Sequence, residues 1–132
     1  MKFSCASIVI LMLALAGCSE NIRTSHPTLI DAKSDIEKGW IPSVLPASTV
    51  KISESHDLDL NTGHGTFSFG QADAKEFKKS LAAISDNESL SGTEINQKQL
   101  KQEGFELYKI EGFYLAVNWT QCCGQFWLNY SR

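Results

Sequence analysis

Apolar and polar residues alternate along the segment from residue 50 to residue 60. The apolar side chains occupy even-numbered positions, while lysine, serine and aspartate occupy the odd-numbered positions. The apolar members are Val50, Ile52, Leu58 and Leu60. Because successive side chains of a β-strand point to opposite faces of a sheet, this period of two predicts a strand with one face in water. The chain is therefore expected to build a sheet that packs on one side.

Four further segments have strand character. Residues 65–70 place Phe67 and Phe69 on one face, and the glycine-rich stretch before them predicts a hairpin with the first strand. Residues 105–110, 113–119 and 125–130 are rich in aromatic and β-branched side chains, which are enriched in strands. Together these patterns predict five antiparallel strands.

Two segments have clear helical character, and residues 94–104, which end at Gly104, could form another short helix. In Ala72–Ile84, the apolar residues Phe77, Leu81 and Ile84 recur at helical spacing, which predicts the main amphipathic helix. In residues 28–39, a Thr28–Asp31 pair is typical of a helix start and Gly39 of a helix end, which predicts a short N-terminal helix.

The order of these elements predicts the fold class. Runs of strands interrupted by a helix, without regular alternation of strand and helix, favour an α+β fold over a doubly wound sheet. We therefore expect one small α+β domain with a five-stranded antiparallel sheet. Its main amphipathic helix is inserted after the second strand, and a short helix precedes the sheet.

The first residues of the chain have the organisation of an export signal. Lys2 supplies a positive charge, and the run from Ala6 to Ala16 contains no polar residue except Ser7. A membrane-spanning helix needs about 20 apolar residues, so this run is too short to span and instead has the length of a secretory signal core. We predict that residues 1–17 are a cleaved signal peptide.

The sequence Leu15-Ala16-Gly17-Cys18 resembles the lipobox of bacterial lipoproteins. The resemblance implies that Cys18 is acylated and becomes the first residue of the mature protein. Ser19 at the next position is similar to the signal for transport to the outer membrane, with the domain facing the periplasm and the inner membrane as the alternative. Several acyl chains hold a protein on a bilayer, whereas a single chain binds reversibly. The expected membrane partner is therefore reached through lipid on Cys18.

The rest of the chain divides into a lipidated tether, residues 18–27, and an α+β periplasmic domain, residues 28–132. The tether is predicted because this segment is polar and lacks periodicity. The whole chain has 15 acidic against 12 basic residues, and no basic stripe. Nucleic acid is therefore excluded as a partner.

A second resemblance extends through the first half of the domain. The matching residues are Gly39-Trp40-Ile41-Pro42, Leu45-Pro46-Ala47-Ser48, Ile52, His56-Asp57-Leu58-Asp59-Leu60-Asn61 and Phe67-Ser68-Phe69. This pattern resembles a group of small proteobacterial lipoproteins, from which it departs at Thr49 and Leu60. The resemblance implies the lipid anchor and the fold, but no chemistry.

The segment "HDLDLNTGHG" concentrates groups that can bind metal. Asp57, Asp59 and Asn61 have the spacing of the first ligands of a calcium loop, but the glycine and glutamate that such a loop needs later are replaced by Thr62 and Ser68. His56 and His64 could converge across the hairpin on a transition metal, although zinc needs further ligands. These five candidate ligands are weighed against a structured turn, which aspartate, asparagine and glycine favour. The turn is the preferred interpretation, with His56 on the apolar face next to a carboxylate or backbone partner.

Cys122 and Cys123 form the other unusual motif. Adjacent Cα atoms lie about 3.8 Å apart, below the usual disulfide range, so a vicinal disulfide between them would be strained and easily reduced. A redox role is one interpretation, and buried or turn-closing cysteines are the other. No C-x-x-C spacing supports thiol–disulfide catalysis.

These observations predict a membrane-anchored lipoprotein that is not an enzyme and needs no cofactor. Its expected role is binding, or a structural role in the envelope, with an envelope protein as the partner. One alternative is a metal- or redox-dependent protein that uses the His56–His64 loop or the Cys122–Cys123 pair. Another is an inhibitor or immunity-type protein, since such proteins are small and acidic.

Overall fold

The computed structural model of the chain describes residues 21–85, 88, 90 and 95–129. The predicted signal peptide and Cys18 lie outside these residues. The strands are β1 (Asn21–Thr28), β2 (Val50–Asp57), β3 (Thr62–Ser68), β4 (Ala82–Ala83), β5 (Glu106–Ile110), β6 (Phe113–Asn118) and β7 (Cys123–Leu128). The helices are α1 (Lys33–Glu37), α2 (Ala74–Lys79), which follows a 3₁₀ turn at Gln71–Asp73, and α3 (Gln97–Gln102). None of these helices is long and apolar enough to cross a membrane.

The seven strands form one antiparallel sheet in the order β1-β2-β3-β7-β6-β5-β4. The first three strands follow one another, and the chain then crosses to the far edge and returns strand by strand to β3. Strands β1 and β4 are the two edges of this open sheet. The prediction of a five-stranded α+β fold with a main helix is wrong: the sheet has seven strands and the helices are short.

Strand β1 corrects the prediction of a tether through residue 27. Asn21–Thr28 pairs with β2 along its whole length, from Asn21 opposite Asp57 to Thr28 opposite Val50. The sequence signal was weak because Ile22 is the only large apolar residue in the strand, so no alternation is visible. Pro27 is tolerated because proline can occupy an edge strand, where a missing N–H breaks no ladder.

The main amphipathic helix predicted at Ala72–Ile84 is also wrong. Helix α2 ends at Lys79, where the Ser80 hydroxyl donates a 2.6 Å hydrogen bond to the Phe77 carbonyl. Two residues of the predicted apolar face then separate: Leu81 packs on one side of the sheet and Ile84 on the other. Residues three apart in a helix would share a face. The chain between them is instead the edge strand β4, and the Ile84 amide donates to the Leu107 carbonyl.

The N-terminal helix is shorter than predicted. The Thr28 hydroxyl donates to Asp31 Oδ2 at 2.7 Å, and the Ala32 amide donates to the Leu29 carbonyl, so these residues form a turn rather than a helical start. Helix α1 covers only Lys33–Glu37. Gly39, which follows it, has a φ of +85°, the left-handed conformation expected after a helix.

Two apolar clusters cover the two faces of the sheet. The first is aromatic and lies beneath α1, α2 and the segment at residues 40–49; its large members include Ile41, Ile52, Phe67, Phe69, Phe77, Phe113, Leu115 and Phe126. The second covers the opposite face at the β4–β5–β6 end, and Trp127 of β7 packs against its margin; its buried members are Leu90, Leu100, Leu107, Tyr114 and Ala116. Strand β6 is therefore buried on both faces, and the same opposite face is open at the β1–β2–β3 end.

Gly65 in β3 is required by close packing. A Cβ atom there would lie 2.2 Å from the Ser53 carbonyl oxygen and 2.3 Å from Cζ of Phe126, whose ring covers the glycine. Gly63, two residues earlier and also buried, differs: a Cβ atom would meet its nearest neighbours, His56 and Trp40, at 3.6 Å, an ordinary contact. The glycines of the "TGHG" motif therefore belong to a strand rather than to the turn.

We predict that Gly65→Ala lowers the free energy of unfolding by about 3 kcal/mol, because the methyl group must displace backbone or the Phe126 ring. Gly63→Ala is the matched control and should change it by less than about 1 kcal/mol. Urea unfolding monitored by circular dichroism measures both. Equal effects of the two substitutions would contradict the packing described here.

Candidate functional site

The segment from His56 to Gly65 consists of a strand end, a turn and a strand start. Asp57 ends β2, and its Oδ1 accepts hydrogen bonds from the backbone amides of Asp59 at 2.9 Å and Leu60 at 3.0 Å. Asn61 has a φ of +53°, a conformation that asparagine tolerates. The acidic and amide residues thus have the turn chemistry expected from the sequence. One Asp57 oxygen is occupied by the backbone rather than directed at a cation.

The two histidines of this segment lie on opposite faces of the sheet. His56 is paired with Gly63, and His64 is paired with Ser55, which are neighbouring pairs of the β2–β3 ladder. Because side chains at neighbouring positions of a strand point to opposite faces, the two imidazoles are on opposite sides of the sheet. His56 is buried and His64 is exposed. The convergence of His56 and His64 on one metal ion, considered from the sequence, is therefore wrong. Within the described ranges, no group of three or more His, Cys, Asp or Glu side chains could hold a metal ion.

The vicinal cysteines are free thiols on opposite sides of the sheet. Cys122 packs against the aromatic cluster and has a φ of +56° in the turn before β7. Cys123 begins β7 opposite Ser68 and Asn118, on the other face. Burial raises the pKa of the Cys123 thiol, and the charge of Cys122 adds to this effect. Because the thiolate is the reactive form of cysteine, Cys123 has less of that form than an unperturbed cysteine.

A buried polar network lies on the face covered by α1, and we define it as Thr24, His26, Asp35, Glu54 and His56. Nδ1 of His56 lies 2.8 Å from Oε1 of Glu54, and Nε2 of His26 lies 2.8 Å from Oδ2 of Asp35. The Thr24 hydroxyl connects the two pairs, at 3.2 Å from Oε2 of Glu54 and 3.1 Å from Oδ2 of Asp35. The network therefore joins β1, α1 and β2.

Trp40 covers one end of the polar network. Its ring stacks on the His56 imidazole with the ring centroids 4.0 Å apart and the planes 7° from parallel. Only 6% of His56 and 3% of Glu54 is exposed. Both side chains are therefore shielded from solvent, and the Trp40 ring covers the imidazole of the pair.

The two carboxylates of the network respond oppositely to their surroundings. Burial raises the pKa of Glu54, and the hydrogen bonds from His56 and Thr24 oppose this only in part. Burial also acts on Asp35, but the hydrogen bonds from His26 and Thr24 outweigh it and lower the pKa of Asp35. The Glu54 carboxylate is therefore the less well compensated charge of the two.

Sequence reasoning found one member of this network and missed the rest. His56 was expected on the apolar face beside a carboxylate or backbone partner, and the structure confirms a carboxylate partner. Glu54 was detectable, because it is an even-numbered charged residue on the face of Ile52. Thr24 and His26 are not detectable, because the polar sequence of their segment predicts a tether.

Comparisons with known proteins concern the same part of the chain. Residues 20–68 match the model of the YbbD head domain, a family of bacterial proteins. The match spans β1, α1, β2 and β3, and it includes every residue of the polar network. No curated protein and no solved structure matches the chain significantly.

The pKa of Glu54 predicts a pH dependence of stability. Because the folded state holds the proton more tightly than the unfolded state, stability decreases as the pH rises from about the ordinary glutamate pKa of 4.5 through the raised value. Glu54→Gln removes this titration. We therefore expect the melting temperature of Glu54→Gln, relative to wild type, to increase as the pH is raised from 4 to 7.

Differential scanning calorimetry across this pH range measures the effect. Glu37→Gln, at an exposed position of α1, is the matched control. Its melting temperature should differ from that of wild type by the same amount at every pH. If the difference in melting temperature between Glu54→Gln and wild type were also the same at every pH, Glu54 would not be titrating from a buried position.

Proposed function

We propose that this protein is a lipoprotein of the bacterial cell envelope, anchored by acyl chains on Cys18, most specifically in the outer membrane facing the periplasm. The observation that carries the proposal is the Leu15-Ala16-Gly17-Cys18 sequence directly after a short apolar run. The resemblance of residues 39–69 to small proteobacterial lipoproteins supports the same assignment. The match to a bacterial family over residues 20–68 is consistent with a bacterial source.

The proposed role of the domain is binding rather than catalysis. The Glu54–His56 pair is buried, the imidazoles of His56 and His64 lie on opposite faces of the sheet, and so do the thiols of Cys122 and Cys123. What the domain presents instead is an open polar face on β1, β2 and β3. Its side chains are Arg23, Ser25, Ser53, Ser55, His64 and Thr66.

This polar face suits a hydrogen-bonding partner. Two rows cross the three strands: Arg23, Ser55 and His64 in one row, and Ser25, Ser53 and Thr66 in the next. The side chains are polar and mostly exposed, and the backbone beneath them is held by hydrogen-bond ladders on both sides of β2. A flat hydrogen-bonding surface of this kind fits the polar surface of an envelope protein.

The anchor is tested by metabolic labelling with palmitate in the bacterial host. We expect wild type to be labelled and to sediment with membranes, and Cys18→Ser to be unlabelled. Cys5→Ser is the matched control, because Cys5 lies in the predicted signal peptide and its loss should leave the label unchanged. An unlabelled wild-type protein that washes off membranes as soluble material would contradict the proposal.

A further inference from the structure

The turn between β2 and β3 exposes two large apolar side chains. Leu58 is 51% exposed and Leu60 is 68% exposed, and neither belongs to an apolar cluster of the domain. Turns usually contain glycine, asparagine, aspartate or serine, and here Asp57 and Asn61 already supply that chemistry. The two leucines therefore contribute little to folding, and their exposure needs another explanation.

The first strand brings the start of the domain to the same place. Asn21 pairs with Asp57, the residue immediately before Leu58. Ile22, the next residue of β1, is also 40% exposed. Three of the five exposed large apolar residues in the described part of the chain thus lie at one end of the sheet, while Ile30 and Val50 lie at the other end of the β1–β2 pair.

Covalent geometry then connects this end to Cys18. Cys18 precedes Asn21 by three residues, and a chain spans at most about 3.6 Å per residue, so their Cα atoms are within about 11 Å of each other. Paired Cα atoms of antiparallel strands are about 5 Å apart. An acylated Cys18 would therefore hold the Cα atom of Asp57, where the β2–β3 turn begins, within about 16 Å of its own Cα atom.

We propose that the Leu58–Leu60 turn inserts into the headgroup region of the bilayer to which Cys18 is anchored. This inference rests on the proposed lipid anchor and adds a second, non-covalent contact with the same membrane. The sheet then stands with its β2–β3 turn on the bilayer, and the polar face of β1–β3 extends away from the membrane surface. The anchor supplies the affinity and the turn fixes the orientation.

The chemistry of the turn selects the kind of lipid. Residues 57–61 contain two aspartates and no lysine or arginine, so electrostatic attraction to anionic headgroups is absent. The amides of Asp59 and Leu60 are hydrogen-bonded to Asp57, which removes the cost of desolvating them at the interface. The expected occupant is therefore a zwitterionic phospholipid surface.

The test uses the mature lipidated protein in phosphatidylcholine vesicles, with Cys122 and Cys123 replaced by serine. An NBD fluorophore is attached at Leu60→Cys, or at Ile30→Cys as the matched control, since Ile30 is 86% exposed at the opposite end of β1. We expect a blue-shifted NBD emission at position 60, and at least twofold stronger quenching by a headgroup nitroxide lipid than at position 30. Adding Leu58→Ser should reduce the quenching at position 60.

The outcomes separate the two proposals. A protein that does not float with the vesicles contradicts the lipid anchor. A protein that floats, but whose position 60 is quenched by aqueous iodide as strongly as position 30, contradicts turn insertion while leaving the anchor intact. Stronger insertion into vesicles that contain phosphatidylglycerol would overturn the assignment to zwitterionic lipid.

Discussion

The pairing of β1 with β2 is the constraint on which the first half of this domain depends. It places Thr24 beside both Glu54 and Asp35 and His26 beside Asp35, so β1 supplies a hydrogen-bond partner to each buried carboxylate. Removing one partner of a buried charge costs several kcal/mol. The edge strand is therefore a structural component of the domain, although its sequence is almost entirely polar.

The two halves of the sheet are stabilised by different means. The β4–β7 half is held by apolar packing on both faces, and β6 is buried throughout. The β1–β3 half has one open face, and part of its covered face is occupied by the polar network. Burying a carboxylate costs free energy unless its partners compensate for it, whereas the aromatic packing of Phe67 on Phe126 beside the network carries no such cost. The family match ends with β3, at the boundary between these halves.

This division also explains what the sequence could predict. Strands β2, β3, β5, β6 and β7 contain apolar or aromatic side chains on at least one face, so they are visible in the sequence and the expected strands overlap the observed ones. Strand β1 has polar side chains on both faces, so its sequence predicts a tether instead of a strand. The spacing of Leu81 and Ile84 fits a helix by coincidence, because a short strand at a sheet edge can send neighbouring apolar residues to opposite faces.

The candidate site shows the same limit. The face of His56 followed from strand register, because register decides the face of each residue in a strand. Its partners come from β1 and α1, and contacts between elements distant in sequence leave no local pattern. The same reasoning could place neither Asp35 nor Trp40 beside β2.

Hydrogen–deuterium exchange of the mature protein tests the pairing of β1 with β2 most directly. The account predicts that the inward-facing amides of Asn21–Thr28 exchange slowly, within about tenfold of the amides in β2, and that exchange in the Leu58–Asn61 turn is much faster. If residues 21–28 instead exchanged at the rate of an unstructured chain while β2 stayed protected, the segment would be a tether. The polar network and the position of the turn beside Cys18 would then both be wrong.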